Sequence, residues 1–178
     1  ANPNSLALTR QERSILFMDI RGFTLWSDAQ GPEAVASLLN QYYHLSELAF
    51  ASSRPIKYKF TADEVMAIFV RPEDALAAAV QLREQTLALL SQRQLGAGIG
   101  LHTGPVAEGL LGSSSVKFYD VIGDTVNVTK RIESSARSAE ILFSENLRLA
   151  LQIVPATSEQ RSITVKGKPE PLAVHLLA

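Results

Sequence analysis

Apolar and polar positions along the chain switch between two periods, and each switch marks an element. Ser14 to Ile20 is a nearly continuous apolar run and reads as a strand buried on both faces. Gly31-Pro32-Glu33 opens a helix with proline at its first position. Val35, Leu38, Leu39, Tyr42, Leu45 and Ala49 then recur at helical period. Two strands follow near Ile56 to Phe60 and Glu64 to Val70, joined by a tight turn. Pro72-Glu73-Asp74 opens a second helix, with a predicted stripe of Leu76, Ala79, Val80, Arg83, Leu87 and Leu90 that only Arg83 breaks. Gly96 to Thr103 reads as a glycine-rich strand ending at Gly104-Pro105, and Val116 to Ile122 as another strand. Gly123-Asp124-Thr125 caps a third helix running to about Ala136. Glu140 to Ser144 and two short strands near Ile163 and Ala173 close the chain. The order predicts an α+β fold: a ferredoxin-like βαββαβ core with helices on one face and a C-terminal β extension. That core hosts many functions and selects none.

Composition narrows the choice. The chain has 178 residues, 46% hydrophobic and 20% charged, which fits one globular domain with a sizeable core. A net charge of −1 without a basic block argues against a nucleic-acid binder. There is no cysteine, so disulfides, thiolate metal sites and cysteine nucleophiles are excluded. The three histidines, His44, His102 and His175, lack zinc-ligand spacing. No apolar stretch is long enough for a membrane span and no signal peptide is visible, so no membrane contact by this domain and a cytoplasmic location are expected. Residues 1–13 are polar and read as a loose segment, expected to link residues 14–178 to an upstream region that could itself carry a sensor or membrane anchor.

Three motifs carry candidate chemistry. Asp19 and Asp63 each end an apolar run, in Phe17-Met18-Asp19-Ile20-Arg21-Gly22 and Phe60-Thr61-Ala62-Asp63-Glu64-Val65. Carboxylates in such places either face water or make a site of hard oxygen ligands for a cation such as Mg²⁺, and hence for a phosphate substrate. In the third predicted helix Asn127 and Arg131 are four apart and share a face. They are either a solvated helix face or a fork for phosphate oxygens beside a ribose contact. Lys166, in Val165-Lys166-Gly167-Lys168, either reaches phosphates or belongs to a surface hairpin.

Taken in order, these segments resemble the catalytic domain of the class III nucleotidyl cyclases, in their bacterial adenylate cyclase branch. The resemblance rests on Phe17 to Thr24, Lys59 to Phe69, Gly100-Leu101-His102-Thr103-Gly104, Tyr119 to Arg131 and Val165 to Lys168. It implies that Asp19, Asp63 and the Ile20 backbone carbonyl hold two divalent cations, Mg²⁺ or Mn²⁺. It implies that Lys59 and Asp120 read the purine, Asn127 orients the ribose, Arg131 stabilises the transferring α-phosphate and Lys166 binds the terminal phosphates. It also implies a head-to-tail homodimer. One chain supplies the metal carboxylates of each site and its partner supplies the rest, with residues 106–117 in the contact.

A lysine donor and an aspartate acceptor complement the N1 acceptor and the N6 amino donor of adenine. Guanylate cyclases of the family typically carry glutamate and cysteine there, and a mismatched edge costs up to roughly 10⁴-fold. The expected activity is therefore conversion of ATP to 3′,5′-cyclic AMP and pyrophosphate, and the alternative is an inactive regulatory module that binds nucleotide or a partner. Two departures favour the alternative: Ala62 stands where the family has glycine, and Gly98 where many members have arginine. His102 is expected to be a packed strand residue, and Glu64, Glu108 and Asp124 to serve as surface, turn or cap residues.

Overall fold

The run Ile15 to Ile20 becomes the centre of a sheet because both of its faces are covered. Leu16, Met18 and Ile20 enter one core, and Ile15 and Phe17 another. A computed structural model describes residues 8–165 and 170–178; Lys166 lies outside the described residues. The elements are β1 (Thr9–Arg21), α1 (Phe23–Asp28), α2 (Pro32–Phe50), β2 (Lys57–Thr61), β3 (Glu64–Phe69), α3 (Pro72–Ser91), β4 (Gly96–Gly112), β5 (Lys117–Ile122), α4 (Asp124–Ser135), β6 (Ile141–Ser144), α5 (Glu145–Ala150), β7 (Thr157–Ile163) and β8 (Leu172–Leu177). The sheet order is β2-β3-β1-β4-β6-β8-β7, with β5 added to the far half of β4. The β2-β3-β1-β4 part is antiparallel throughout and has the predicted ferredoxin-like order. No helix among the described residues is long and apolar enough to cross a membrane.

Helices α2 and α3 share the predicted face, where Leu38, Tyr42, Ala78 and Leu82 close over Leu16 and Met18. The third helix, α4, lies on the other face. Its Val126 joins the cluster of Ile15, Phe17, Met66 and Val121, and Val128 and Ile132 pack toward β6 and β8. Gly100 permits this approach, because a Cβ there would stand 2.2 Å from the Glu133 backbone nitrogen. β1 starts earlier than predicted. Thr9 to Arg13 are not a loose segment but pair with Gly104 to Glu108, and the Arg13 guanidinium forks onto Glu108 at 2.6 and 2.8 Å. β4 likewise runs through Gly104-Pro105 instead of stopping there. Pro105 lies where β4 has a partner only on its β1 side, after β6 and before β5, so the missing N–H is tolerated.

Candidate active site

Asp19 stands near the end of β1, opposite Glu64 on β3 and Gly98 on β4. Asp63 stands in the two-residue turn between β2 and β3, where its carboxyl feels the carboxyl of Asp19. Burial, then the Asp19 hydrogen bond and charge, push the Asp63 carboxyl up to about 7. The turn is strained and clamped. Ala62 has φ 50°, its carbonyl accepts a 2.5 Å hydrogen bond from the Tyr43 hydroxyl, and the Tyr43 ring stacks on Phe60 at 4.4 Å. Ile20 pairs with Ala97 in the β1–β4 ladder and buries its side chain in the main core.

Sequence reasoning missed the charges behind this pair. The Lys130 ammonium lies 3.2 Å from Asp19 Oδ2, 2.7 Å from Glu64 Oε2 and 2.7 Å from Glu133 Oε2. Arg21 reaches Glu133 at 2.5 Å, donates to the Ala136 carbonyl at 2.9 Å and passes over Gly98. Glu133 is fully buried, and a cation beside it offsets the cost of burying its charge. Burial alone would lower the Lys130 value, but Glu133 and Glu64 raise it above that of an ordinary lysine. The Tyr42 hydroxyl, buried without a hydrogen-bond partner among the described residues, is raised by burial and by Asp19, Asp63 and Glu133. One signal was available: Glu133 falls on the α4 stripe of Thr125, Val128, Thr129 and Ile132, where a carboxylate needs a counter-ion.

The donor set fits a hard divalent cation. Four carboxylates (Asp19, Asp63, Glu64 and Glu133) face two cations (Lys130 and Arg21). Among the described residues no three His, Cys, Asp or Glu side chains converge into a cage. Mg²⁺ is commonly held by one or two carboxylates plus substrate phosphates.

A second group of residues lies on β2 and β5. Lys59 Nζ is 3.1 Å from Asp120 Oδ2, and Asp120 Oδ1 accepts from the Val121 N–H at 3.0 Å. Lys57 stands 3.8 Å from the same Asp120 oxygen and donates to the Tyr119 carbonyl. Asn127 and Arg131 are exposed on α4 and share an open cleft of about 500 Å³ with Asp124, Lys130 and Ser134. His102 is a packed strand residue as expected, hydrogen-bonded to Ser144 at 2.7 Å. Glu64, expected to be a surface, turn or cap residue, is partly exposed and pairs with Lys130 beside Asp19.

The chain belongs to the family of adenylate and guanylate cyclase catalytic domains, which it matches over residues 7–178. It is 30% identical to an adenylate cyclase of Anabaena cylindrica, over 95% of this chain and 37% of that protein. The chain thus spans little more than a third of that relative's length. The crystal structure of a guanylyl cyclase superposes with a TM-score of 0.89 at 27% identity, covering 97% of this chain and 94% of the other. That of the adenylyl cyclase CyaB from P. aeruginosa gives 0.88 at 28% identity, covering 97% and 96%. Relatives therefore carry both substrate names.

Proposed function

We propose that this domain is an adenylate cyclase that forms 3′,5′-cyclic AMP from ATP at sites shared between two copies of the chain. The observation that carries the choice of ATP is the Lys59–Asp120 pair, a donor and an acceptor 3.1 Å apart that matches the adenine edge. Guanine presents an acceptor at O6 and a donor at N1, and would leave both side chains facing like groups. Lys57 supports the pairing by holding Asp120 from a second direction.

In the reaction the ribose 3′-oxygen bonds to the α-phosphorus. The bond from that phosphorus to the bridging oxygen breaks, pyrophosphate leaves, and the hydroxyl proton passes to water. Asp19 and Asp63 would hold the divalent cations, whose charge makes the 3′-hydroxyl more acidic and polarises the α-phosphate. Arg131 places a guanidinium where negative charge grows on the transferring phosphoryl group, and Asn127, one turn earlier, orients the ribose. Lys166 is proposed to bind the terminal phosphates. The two departures from the family pattern fit this reading: Ala62 adopts the positive φ that a glycine would, and the Arg21 guanidinium lies over Gly98.

The test is cyclic AMP production from ATP with Mn²⁺ by wild type, Asp63→Ala, Asn127→Ala and an equal mixture of the two variants. Each variant alone should be inactive and the mixture active. A wild-type chain without activity would sink the enzyme reading, and variants that keep full activity would overturn the residue roles. Lys59→Glu combined with Asp120→Cys should lose the preference for ATP over GTP, and unchanged selectivity would remove the base-reading assignment.

A further inference from the structure

Lys130 is bound as a small cation is bound. Its ammonium lies within 3.2 Å of three carboxylate oxygens, from Asp19 on β1, Glu64 on β3 and Glu133 on its own helix, and it donates a hydrogen bond to that of Asp19. The ring of Phe17 lies beneath it, 5.6 Å from the ammonium. Its side chain is only about one-third exposed, so the charge is screened less than at an open surface. The oxygen it contacts on Asp19 belongs to a carboxylate proposed to hold a divalent ion. An Mg²⁺–oxygen bond is about 2.0–2.1 Å long. An ion on Asp19 would therefore stand within a few ångströms of a full positive charge already seated on the same carboxylate.

We infer that Lys130 is an internal competitor for the metal: its ammonium holds Asp19 and Glu64 in the absence of the ion and must leave Asp19 when the ion enters. It is a positioning residue, acting on the reaction only through Asp19. The inference rests on Asp19 and Asp63 being the metal carboxylates. It explains a placement that a structural role alone does not require. Glu133 already has Arg21 at 2.5 Å, yet the lysine extends across to β1 and β3. The lysine has somewhere to go, because it lines the open cleft that it shares with Asn127 and Arg131.

The test is a Mn²⁺ titration of the chain without nucleotide at one fixed pH of about 8, followed by the paramagnetic resonance of the free ion. Lys130→Met should bind Mn²⁺ about tenfold more tightly than wild type, and Lys130→Arg, which keeps the charge, should stay near wild type. Lys130→Met should also gain a larger rise in melting temperature from Mn²⁺ than wild type does. A folded Lys130→Met with unchanged or weaker binding overturns the inference. If Lys130→Met does not fold, Lys130→Met with Glu133→Gln removes the buried charge along with its partner, and tighter binding than in Glu133→Gln alone is expected. Asp63→Asn separates the two claims. If it weakens Mn²⁺ binding while Lys130→Met does nothing, only the competitor falls. If it leaves Mn²⁺ binding unaltered, the metal-site reading falls and the competitor with it.

Discussion

Ala62 shows how one methyl group sets a local cost beside a candidate metal ligand. Its φ of 50° lies in the left-handed region, which costs an L-residue about 1–2 kcal/mol. Glycine would avoid that strain but loses about 0.5–1 kcal/mol more chain entropy on folding. Ala62→Gly should therefore stabilise the chain by roughly 0.5–1 kcal/mol, read as a higher urea midpoint at unchanged slope. Glu140 sets a pH limit. The Arg161 fork at 2.7 Å, aided by the Arg137 N–H, holds its carboxyl down at about 2, against an ordinary 4.5. A depressed carboxylate stabilises the fold fully above the unfolded value and loses that contribution as pH falls through the folded value. Stability should thus decline from about pH 4.5 toward about pH 2, and Glu140→Gln should flatten that part of an acid-unfolding profile. Asp19 and Asp63 were legible because a carboxylate at the mouth of an apolar strand is conspicuous. Lys130 was not, because a lysine on a helix facing a cleft looks like any solvated lysine until its partners on β1 and β3 are known.

At the scale of elements, the contact between α4 and β4 decides where the helix that carries Asn127 and Arg131 sits. A Cβ on Gly100 would stand 2.2 Å from the Glu133 nitrogen and 2.5 Å from its Cα, and backbone cannot turn aside as a side-chain tip can. Gly100→Ala should cost about 2–3 kcal/mol, since overpacking of this kind typically costs 1–3. At roughly 2–4 °C per kcal/mol for a domain of this size, the melting temperature should fall by about 5–10 °C. The element order and most boundaries were readable from periodicity, but three features were not. α1 and α5 have six residues each, too few for a helical period to show. The buried side of α3 is Ala75, Ala78, Ala79, Leu82, Thr86, Leu89 and Leu90, turned from the predicted stripe, and Leu87 is exposed. Small alanines pack closest to the sheet, and a pattern that ranks residues by hydrophobicity favours the larger leucines beside them. The placement of α4 on the opposite face was hidden because its apolar stripe states that it packs, and not on which face.

At the scale of the whole molecule, the arrangement of one chain makes a quantitative prediction about two. Asp19 and Asp63 meet at the end of β1, while Asn127 and Arg131 project from the exposed side of α4. If each site takes its carboxylates from one chain and its α4 residues from the other, a two-fold dimer has two identical sites. In an equal mixture of Asp63→Ala and Asn127→Ala chains that exchange freely, about half of the dimers are mixed. Each mixed dimer pairs the intact carboxylates of one chain with the intact α4 of the other, giving one working site, and collects both lesions in its second site. About a quarter of all sites should then work, so the mixture should recover about a quarter of wild-type cyclic AMP production at equal total chain. The recovered activity per chain should fall on dilution, because separated chains hold only half-sites. Activity independent of dilution, or a mixture no more active than its components, would place each site within a single chain. In that case Asn127 and Arg131 would have to reach the carboxylates beside their own β1.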